Sequence, residues 1–298
     1  MKKLFFIPCA LFLLSYSTLC AQDKPQKEYI YQTFKDTRVI NTYSTETLQK
    51  GVMDVRITHR FGDFINQGSF ENAWTTFFGF ETAADVAFGV EYGITNNLMV
   101  GLHRTKGAGP LKSNMILNAK YKLLAQTKDN KIPLTMALAG SFAVSTMWKS
   151  SNVNSLASFP RDFAHRMVYS LQLHMARKFG EVFSLQVSPT FVWRNLVEHF
   201  DNNALGSVSV CARIQVSKVM GILLDANLPF DGMRWSAENG HRIPLGIGFE
   251  FDTGGHVFQI NLTNSAGIEP TDYIPYTQLN WAEGQFRIGF TISRAFRM

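Results

Sequence analysis

The sequence predicts an all-β chain: an up-and-down antiparallel transmembrane β-barrel of about 12 strands. Three observations predict it. Residues 52–61, Val-Met-Asp-Val-Arg-Ile-Thr-His-Arg-Phe, alternate apolar and polar side chains, and the same alternation returns about twelve times, the period of a strand that faces two different environments. The connections between these segments alternate between short and long, as they do in barrels with tight turns on one rim and larger loops on the other. Finally, 46% of the chain is hydrophobic and Phe alone supplies 25 residues, yet after residue 21 no uninterrupted apolar run approaches the ~20 residues of a membrane helix. Any membrane span must therefore be built from strands.

The chain opens with Lys2 and Lys3 before an apolar run from Leu4 to Leu14, and Leu19-Cys20-Ala21 closes it before Gln22, which predicts an export signal over residues 1–21. A lipoprotein reading would modify Cys20, but that site wants a small residue before it, and Leu19 is large. Loss of the signal removes two lysines from a formal charge of +6, and so weak a basic excess gives no reason to expect a nucleic-acid partner. Cys9 and Cys20 leave with the signal, so Cys211 has no intramolecular disulfide partner. Residues 22–49, polar, mixed in charge and containing Pro25, read as a flexible periplasmic lead or a short inserted segment rather than a domain. The barrel takes residues 50–298.

Strands are expected over 51–61, 83–94, 98–105, 113–126, 134–147, 165–177, 182–194, 205–217, 220–230, 242–252, 256–264 and 285–296. Long connections at 62–82, 148–164, 195–204, 231–241 and 265–284, with an intermediate one at 106–112, face the exterior. Tight ones at 95–97, 127–133, 178–181, 218–219 and 253–255 face the periplasm. Pro189 and Pro244 fall inside expected strands, where a closed barrel has no free edge for proline, so each predicts a bulge or a strand end.

Alternation does not orient the two faces, because a soluble barrel alternates too, with its apolar face inward. Charge placement orients them. The rows Met53/Val55/Ile57, Leu134/Met136/Leu138, Ile243/Leu245/Ile247/Phe249/Phe251 and Phe286/Ile288/Phe290/Ile292 carry no charge, and Lys or Arg against lipid costs ~2–4 kcal/mol. The opposite rows carry Asp54, Arg56, Arg60, Asp85, Glu91, Lys120, Lys122, Arg194, Arg213, Asp225, Glu250, Asp252 and Arg287. These charges are expected in the lumen, chiefly as cross-strand ion pairs, with Lys120, Lys122 and Arg194 as a candidate basic strip for anions. Aromatic residues near strand ends, among them Tyr92, Tyr121, Trp193 and Phe296, suit a membrane interface.

Catalytic patterns are not apparent. His103 and His174 share lumenal parity without further ligands at strand spacing, so no metal or other cofactor is expected. Ser170 and His174 share a face, but the lumenal one, where they read as polar lining. No Gly-x-Ser-x-Gly elbow occurs, and Cys211 reads as an inward filler. Bulky residues in the long connections, including Trp74, Phe77, Phe78, Phe80, Trp148, Phe159, Tyr273, Tyr276 and Trp281, are suited to rim packing, to an inward plug or to an outward receptor surface.

His59-Arg60-Phe61-Gly62, Ala83-Ala84-Asp85, Glu91-Tyr92-Gly93-Ile94-Thr95, Gly101-Leu102-His103-Arg104, Phe286-Arg287-Ile288-Gly289-Phe290 and Ser293-Arg294-Ala295-Phe296 follow one another along the chain. In this order they resemble a β-barrel family of Bacteroidota catalogued as a domain of unknown function. The likeness spans about residues 45–298; it implies an outer-membrane or secreted barrel and transfers no catalytic residue. Phe296 is followed by Arg297 and Met298, which departs from a terminal aromatic as the mark read by the barrel-assembly machinery. The expectation is a non-enzymatic barrel of the cell outer membrane with outer-membrane lipid and that machinery as partners, passing small hydrophilic solutes through a narrow charged lumen. A plugged structural or binding barrel acting through its external loops is the alternative, and a lipid-modifying enzyme ranks last.

Overall fold

In the computed structural model, residues 28–65, 70–160, 163–230 and 240–298 are described. The expected export signal lies outside them, as does most of the connection at 231–241. Twelve strands form one closed sheet. They are β1 (Val52–Asp63), β2 (Ala83–Gly93), β3 (Leu98–Lys106), β4 (Ser113–Leu124), β5 (Thr135–Ser145), β6 (Met167–Phe179), β7 (Phe183–Arg194), β8 (Ala204–Gln215), β9 (Met220–Phe230), β10 (Leu245–Asp252), β11 (His256–Thr263) and β12 (Arg287–Arg297). Each pairs antiparallel with its sequence neighbours, and β1 closes on β12 from Val52 opposite Arg297 to Asp63 opposite Arg287. Closure leaves no sheet edge, which lets a backbone cross hydrocarbon with its polar groups satisfied. Among the described residues two short α-helices lie in the connections, α1 (Phe70–Thr75) and α2 (Pro270–Tyr276).

The alternation places side chains as their parity requires. Along β2, Phe88, Val90 and Tyr92 are exposed on the outer face while Asp85, Ala87, Gly89 and Glu91 are buried. On β10, Ile247 and Phe249 point outward and Gly248 and Glu250 inward. An outer wall free of charge at mid-strand is what hydrocarbon requires. Phe249→Arg, in the middle of that wall, is therefore expected to cost about 2–4 kcal/mol, read as a lower urea midpoint for the protein folded in lipid vesicles.

The two prolines behave differently. Pro244 immediately precedes β10, a strand end. Pro189 sits inside β7 with neither a bulge nor a strand end, so both alternatives expected there are corrected. The β6–β7 register is the same on both sides of it, from Gln172 opposite Thr190 to Met175 opposite Val187, and only the two intervening pairs drop out of the ladder. The strand thus tolerates the missing N–H as a local gap, while Pro189 stays paired with Val208 of β8.

Of the two readings of residues 22–49, the flexible lead is corrected and the inserted segment holds from residue 28 onward. From residue 28 they form no flexible lead; Thr33–Glu46 lie inside the barrel. The chain enters at the short-turn rim, where the Ile30 N–H donates to the Gln126 carbonyl (2.9 Å) and the Lys128 N–H to the Glu28 carbonyl (2.9 Å). It then folds back as a finger: the Val39 N–H donates to the Thr42 carbonyl, and the Ser44 N–H to the Thr37 carbonyl, both at 2.9 Å. It leaves by the same rim, where the Lys50 N–H meets the Asn96 side chain at 3.0 Å, and β1 begins. From the opposite rim, the connection between β11 and β12 also folds inward, and Ser265 and residues 267–275 are buried. The lumen is filled from both ends.

Candidate functional site

The two inserted segments meet at one carboxylate. Glu269 Oε1 accepts from Arg38 Nη2 at 2.6 Å and lies 2.8 Å from His103 Nδ1, and Glu269 Oε2 accepts from the Tyr43 hydroxyl at 2.9 Å. Arg38 and Tyr43 belong to the finger, Glu269 to the last connection and His103 to β3 of the wall. Arg38 also lies over the Tyr43 ring, 4.2 Å from its centre. Gly89 of β2 makes room for His103, since a Cβ there would come within 2.5 Å of the imidazole. Glu91 sits 3.3 Å from the other imidazole nitrogen and accepts from the Thr37 hydroxyl at 2.8 Å. The result is a latch of fully buried ionic groups that ties both insertions to each other and to the wall.

The Glu269 carboxylate lies in a connection rather than in a lipid-crossing strand. Burial pushes its pKa up, but Arg38 and His103 outweigh burial and hold it down to about 2. A carboxylate held below its unfolded value stabilises the fold at all pH above that value, ~4.3, and the contribution is lost as pH falls through the folded one. The Glu269 contribution is therefore expected to be complete above about 4 and to be lost between about 4 and 2, measurable as a fall in urea midpoint over that interval that Glu269→Gln abolishes. In the same connection, burial first and then the charges of Asp85 and Glu269 push the Asp272 carboxyl well above the ordinary range.

All thirteen charges expected in the lumen occupy inward rows, and eleven of them are tied as follows. Arg56 forms a two-pronged pair with Asp36 of the finger (2.8 and 2.5 Å) and reaches Asp54 at 3.1 Å. Asp54 also accepts from Ser293 (2.8 Å). Lys120 donates to the Thr37 and Ser44 carbonyls at 3.0 and 2.9 Å. Lys122 meets Glu46 at 3.3 Å, and Asp252 meets Lys35 at 3.3 Å. Asp225 accepts the backbone N–H groups of Asn41 and Thr42, both at 2.8 Å. Arg60 donates to the Asn41 side chain (2.7 Å) and the Ser265 carbonyl (3.2 Å), thereby touching both insertions. Arg194 pairs with Asp201 at 2.6 Å, and Arg287 reaches the Phe61 carbonyl at 3.3 Å. Arg213 of β8 crosses over Gly221 of β9 to Glu250 of β10 at 2.7 Å. A Cβ at Gly221 would stand 2.8 Å from the guanidinium.

Cross-strand pairing of these charges with one another is therefore corrected for all but Arg213 and Glu250. Among the described residues, the thirteen form only two ion pairs within the set, Arg56–Asp54 along one strand and Arg213–Glu250 across an intervening one. Arg60 stands directly opposite Asp85 in the β1–β2 register, yet its guanidinium donates to the insertions. Asp54 and Glu91, of like charge, also stand opposite each other, and each is compensated elsewhere. The wall is complementary to the filling rather than to itself. The basic strip does not assemble either. Lys120 and Lys122 lie toward the short-turn end of β4 and Arg194 at the long-connection end of β7.

Sequence reasoning missed Asp36, Arg38, Tyr43, Glu46 and Glu269. It also missed apolar residues on the inward rows: Ile116, Ala143, Val168, Val192 and Leu205 pack around Tyr273 and Ile274 of α2. On the other side, Ala176, Cys211 and Leu223 pack around Phe34, Val39 and Ile40 of the finger. Apolar residues in the wrong parity were the available signal. Open space survives at the rims, in a recess of about 540 Å³ beside Lys112, Tyr276 and Arg287 and one of about 1180 Å³ beside Tyr31, Lys50 and Arg297. Beside Arg38, His103 and Glu269 the void is about 10 Å³, at most one water. Among the described residues no three His, Cys, Asp or Glu side chains form a metal site.

The model of a family described as a membrane-bound β-barrel domain of unknown function, DUF5777, matches residues 34–296. The chain belongs to this family. The match begins inside the finger, so the DUF5777 unit takes in nearly all of the filled lumen as well as the barrel. Solved structures that it is similar to include the NanC porin, with TM-score 0.47 and 8% identity over 83% of this chain and 100% of that one. Another is the KdgM porin, with TM-score 0.49 and 7% identity over 82% and 99%. A third is the COG4313 outer membrane channel from Pseudomonas putida F1, with TM-score 0.46 and 12% identity over 85% and 98%. Comparison with curated proteins finds no match. The strand pairing itself, rather than these likenesses, establishes the DUF5777 architecture as a closed twelve-stranded barrel.

Proposed function

We propose that this DUF5777 protein is a non-enzymatic, porin-like barrel of the cell outer membrane whose passage for small hydrophilic solutes is gated by two inserted segments. The observation that carries the reading is the chemistry of the contact between wall and filling. A lumen that stays dry for good is served by apolar packing, because every buried ion must recover its lost hydration from partners. Here Arg56, Arg60, Glu91, Lys120 and Asp225 of the wall meet finger groups through hydrogen bonds that water can replace. A wall of that kind is stable both filled and wet. The export signal expected over residues 1–21 and the uncharged outer rows support the outer-membrane location and the involvement of the barrel-assembly machinery.

The filled centre also favours a second reading, a structural or binding barrel that never opens and acts through its external connections. Liposome swelling separates the two. Vesicles carrying the intact protein are expected to stay closed to a small sugar at neutral pH, whereas vesicles carrying a protein without residues 28–46 and 266–276 swell. If neither protein admits solute, the structural reading replaces the gated one.

A further inference from the structure

The connection over residues 62–82 carries a chain of aromatic rings that the lumen does not use. It starts on the lipid-facing row of β1, where the Phe61 ring lies 4.7 Å from Phe80. Phe80 continues to Phe77 at 5.9 Å, Phe77 to Phe78 at 6.2 Å, and Phe78 to Trp74 at 4.8 Å. Trp74, Phe77 and Phe80 are 65%, 57% and 42% exposed. Soluble surfaces do not collect large apolar rings in this way without a partner.

The backbone is shaped to hold them out. Phe77 and Phe78 have φ of 46° and 57°, the left-handed region that residues with a Cβ disfavour, and Gly79 follows at 80°. Gly79 is pressed so closely on Gly62 that a Cβ would meet the Gly62 carbonyl oxygen at 2.7 Å. The Gly62 N–H donates to the carbonyls of Gly79 (3.0 Å) and Thr82 (2.8 Å), which clamps the base of the connection to the end of β1.

We infer that this connection is an interfacial foot: Trp74, Phe77 and Phe80 enter the lipid–water boundary and extend the barrel's greasy wall beyond the strand ends. Continuity decides the occupant. The exposed rings touch Phe61, which belongs to the same outward row as Val55 and Ile57 and stands beside Phe290 of β12 at 6.1 Å. A bilayer that wets this row also reaches the rings next to it, and aromatic side chains favour that depth. A second consequence follows from the same rings. Phe78 contacts Phe64 (5.2 Å), Phe64 stacks on Phe286 (5.0 Å), and Phe286 stacks on Trp281 (5.3 Å). The foot thereby braces the outer end of the connection that carries Glu269. The inference stands whether or not the lumen opens.

The test uses a chain with Trp74 as its one tryptophan (Trp148→Phe, Trp193→Phe, Trp235→Phe, Trp281→Phe) in phosphatidylcholine vesicles with and without brominated acyl chains. A counterpart retaining Trp148, 94% exposed and outside the ring chain, is the control. Trp74 emission is expected to fall at least twofold in brominated vesicles and Trp148 emission to change little. Equal quenching of the two overturns the proposal, as does Trp74 emission that ignores bromine and shifts only with protein-to-lipid ratio, the mark of a second copy. Should the fourfold variants fail to insert, Trp74→Phe alone must reduce the quenchable fraction of the native protein; an unchanged fraction overturns the proposal equally.

Discussion

A protein lacking residues 28–46, with residues 266–276 replaced by a short Gly-Ser linker, is expected to carry a steady current across a planar bilayer in which the intact protein is silent. The twelve-strand ladder closes through β1 and β12 without either insertion, so both can go while every strand keeps both neighbours. What they leave behind is a lining rich in charged and amide side chains that water can satisfy, with Ile116, Val192, Leu205 and Leu223 as its apolar members. Removing the finger alone is expected to give brief, unsteady openings. It frees Glu269 from Arg38 and Tyr43, but Tyr273 and Ile274 remain packed among Ile116, Val168, Val192 and Leu205. Silence of the double deletion, with folding confirmed by its strand signal, would contradict the gated account.

The second large effect is at the latch. Glu269→Ala leaves the Arg38 guanidinium buried without its carboxylate, and breaking one side of such a pair costs about 3–5 kcal/mol. Replacing both partners with apolar residues of similar volume, Arg38→Met with Glu269→Leu, is expected to recover most of that loss, since the main penalty is the abandoned charge rather than the missing attraction. His103 and Tyr43 would each lose one partner, so recovery stays incomplete. Urea midpoints of the four proteins in detergent micelles give the cycle. A double variant as weak as the sum of the two singles would show that Arg38 and Glu269 do not act as a pair.

The barrel was legible because its rule is local. Period-two alternation, uncharged outer rows and the rhythm of short and long connections place the strands to within three residues at each end, as with 220–230 and 245–252. The filling was legible only as one of two alternatives for residues 22–49, for a matching reason. Phe34, Asp36, Arg38 and Tyr43 have no regular period of their own, since an irregular segment takes its conformation from the walls that surround it, and composition alone makes it look like a solvated lead. The thirteen lumenal charges were found by parity, but their partners were not, because parity fixes the face and says nothing of what crosses the lumen. Ile116, Val192, Leu205 and Leu223, apolar on inward rows, were the one local hint that something greasy is inserted there.

The claim on which the rest depends is that the finger occupies the lumen of the folded protein. Ile40, at its tip, is 4% exposed, whereas Tyr31, where the chain enters, is 81% exposed. In a Cys211→Ser background, Ile40→Cys and Tyr31→Cys can be treated with a water-soluble maleimide in intact vesicles and again after unfolding in urea. The structure predicts fast labelling at position 31 and none at position 40 until the chain unfolds. Labelling at position 40 in the folded protein as rapid as at position 31 would contradict it.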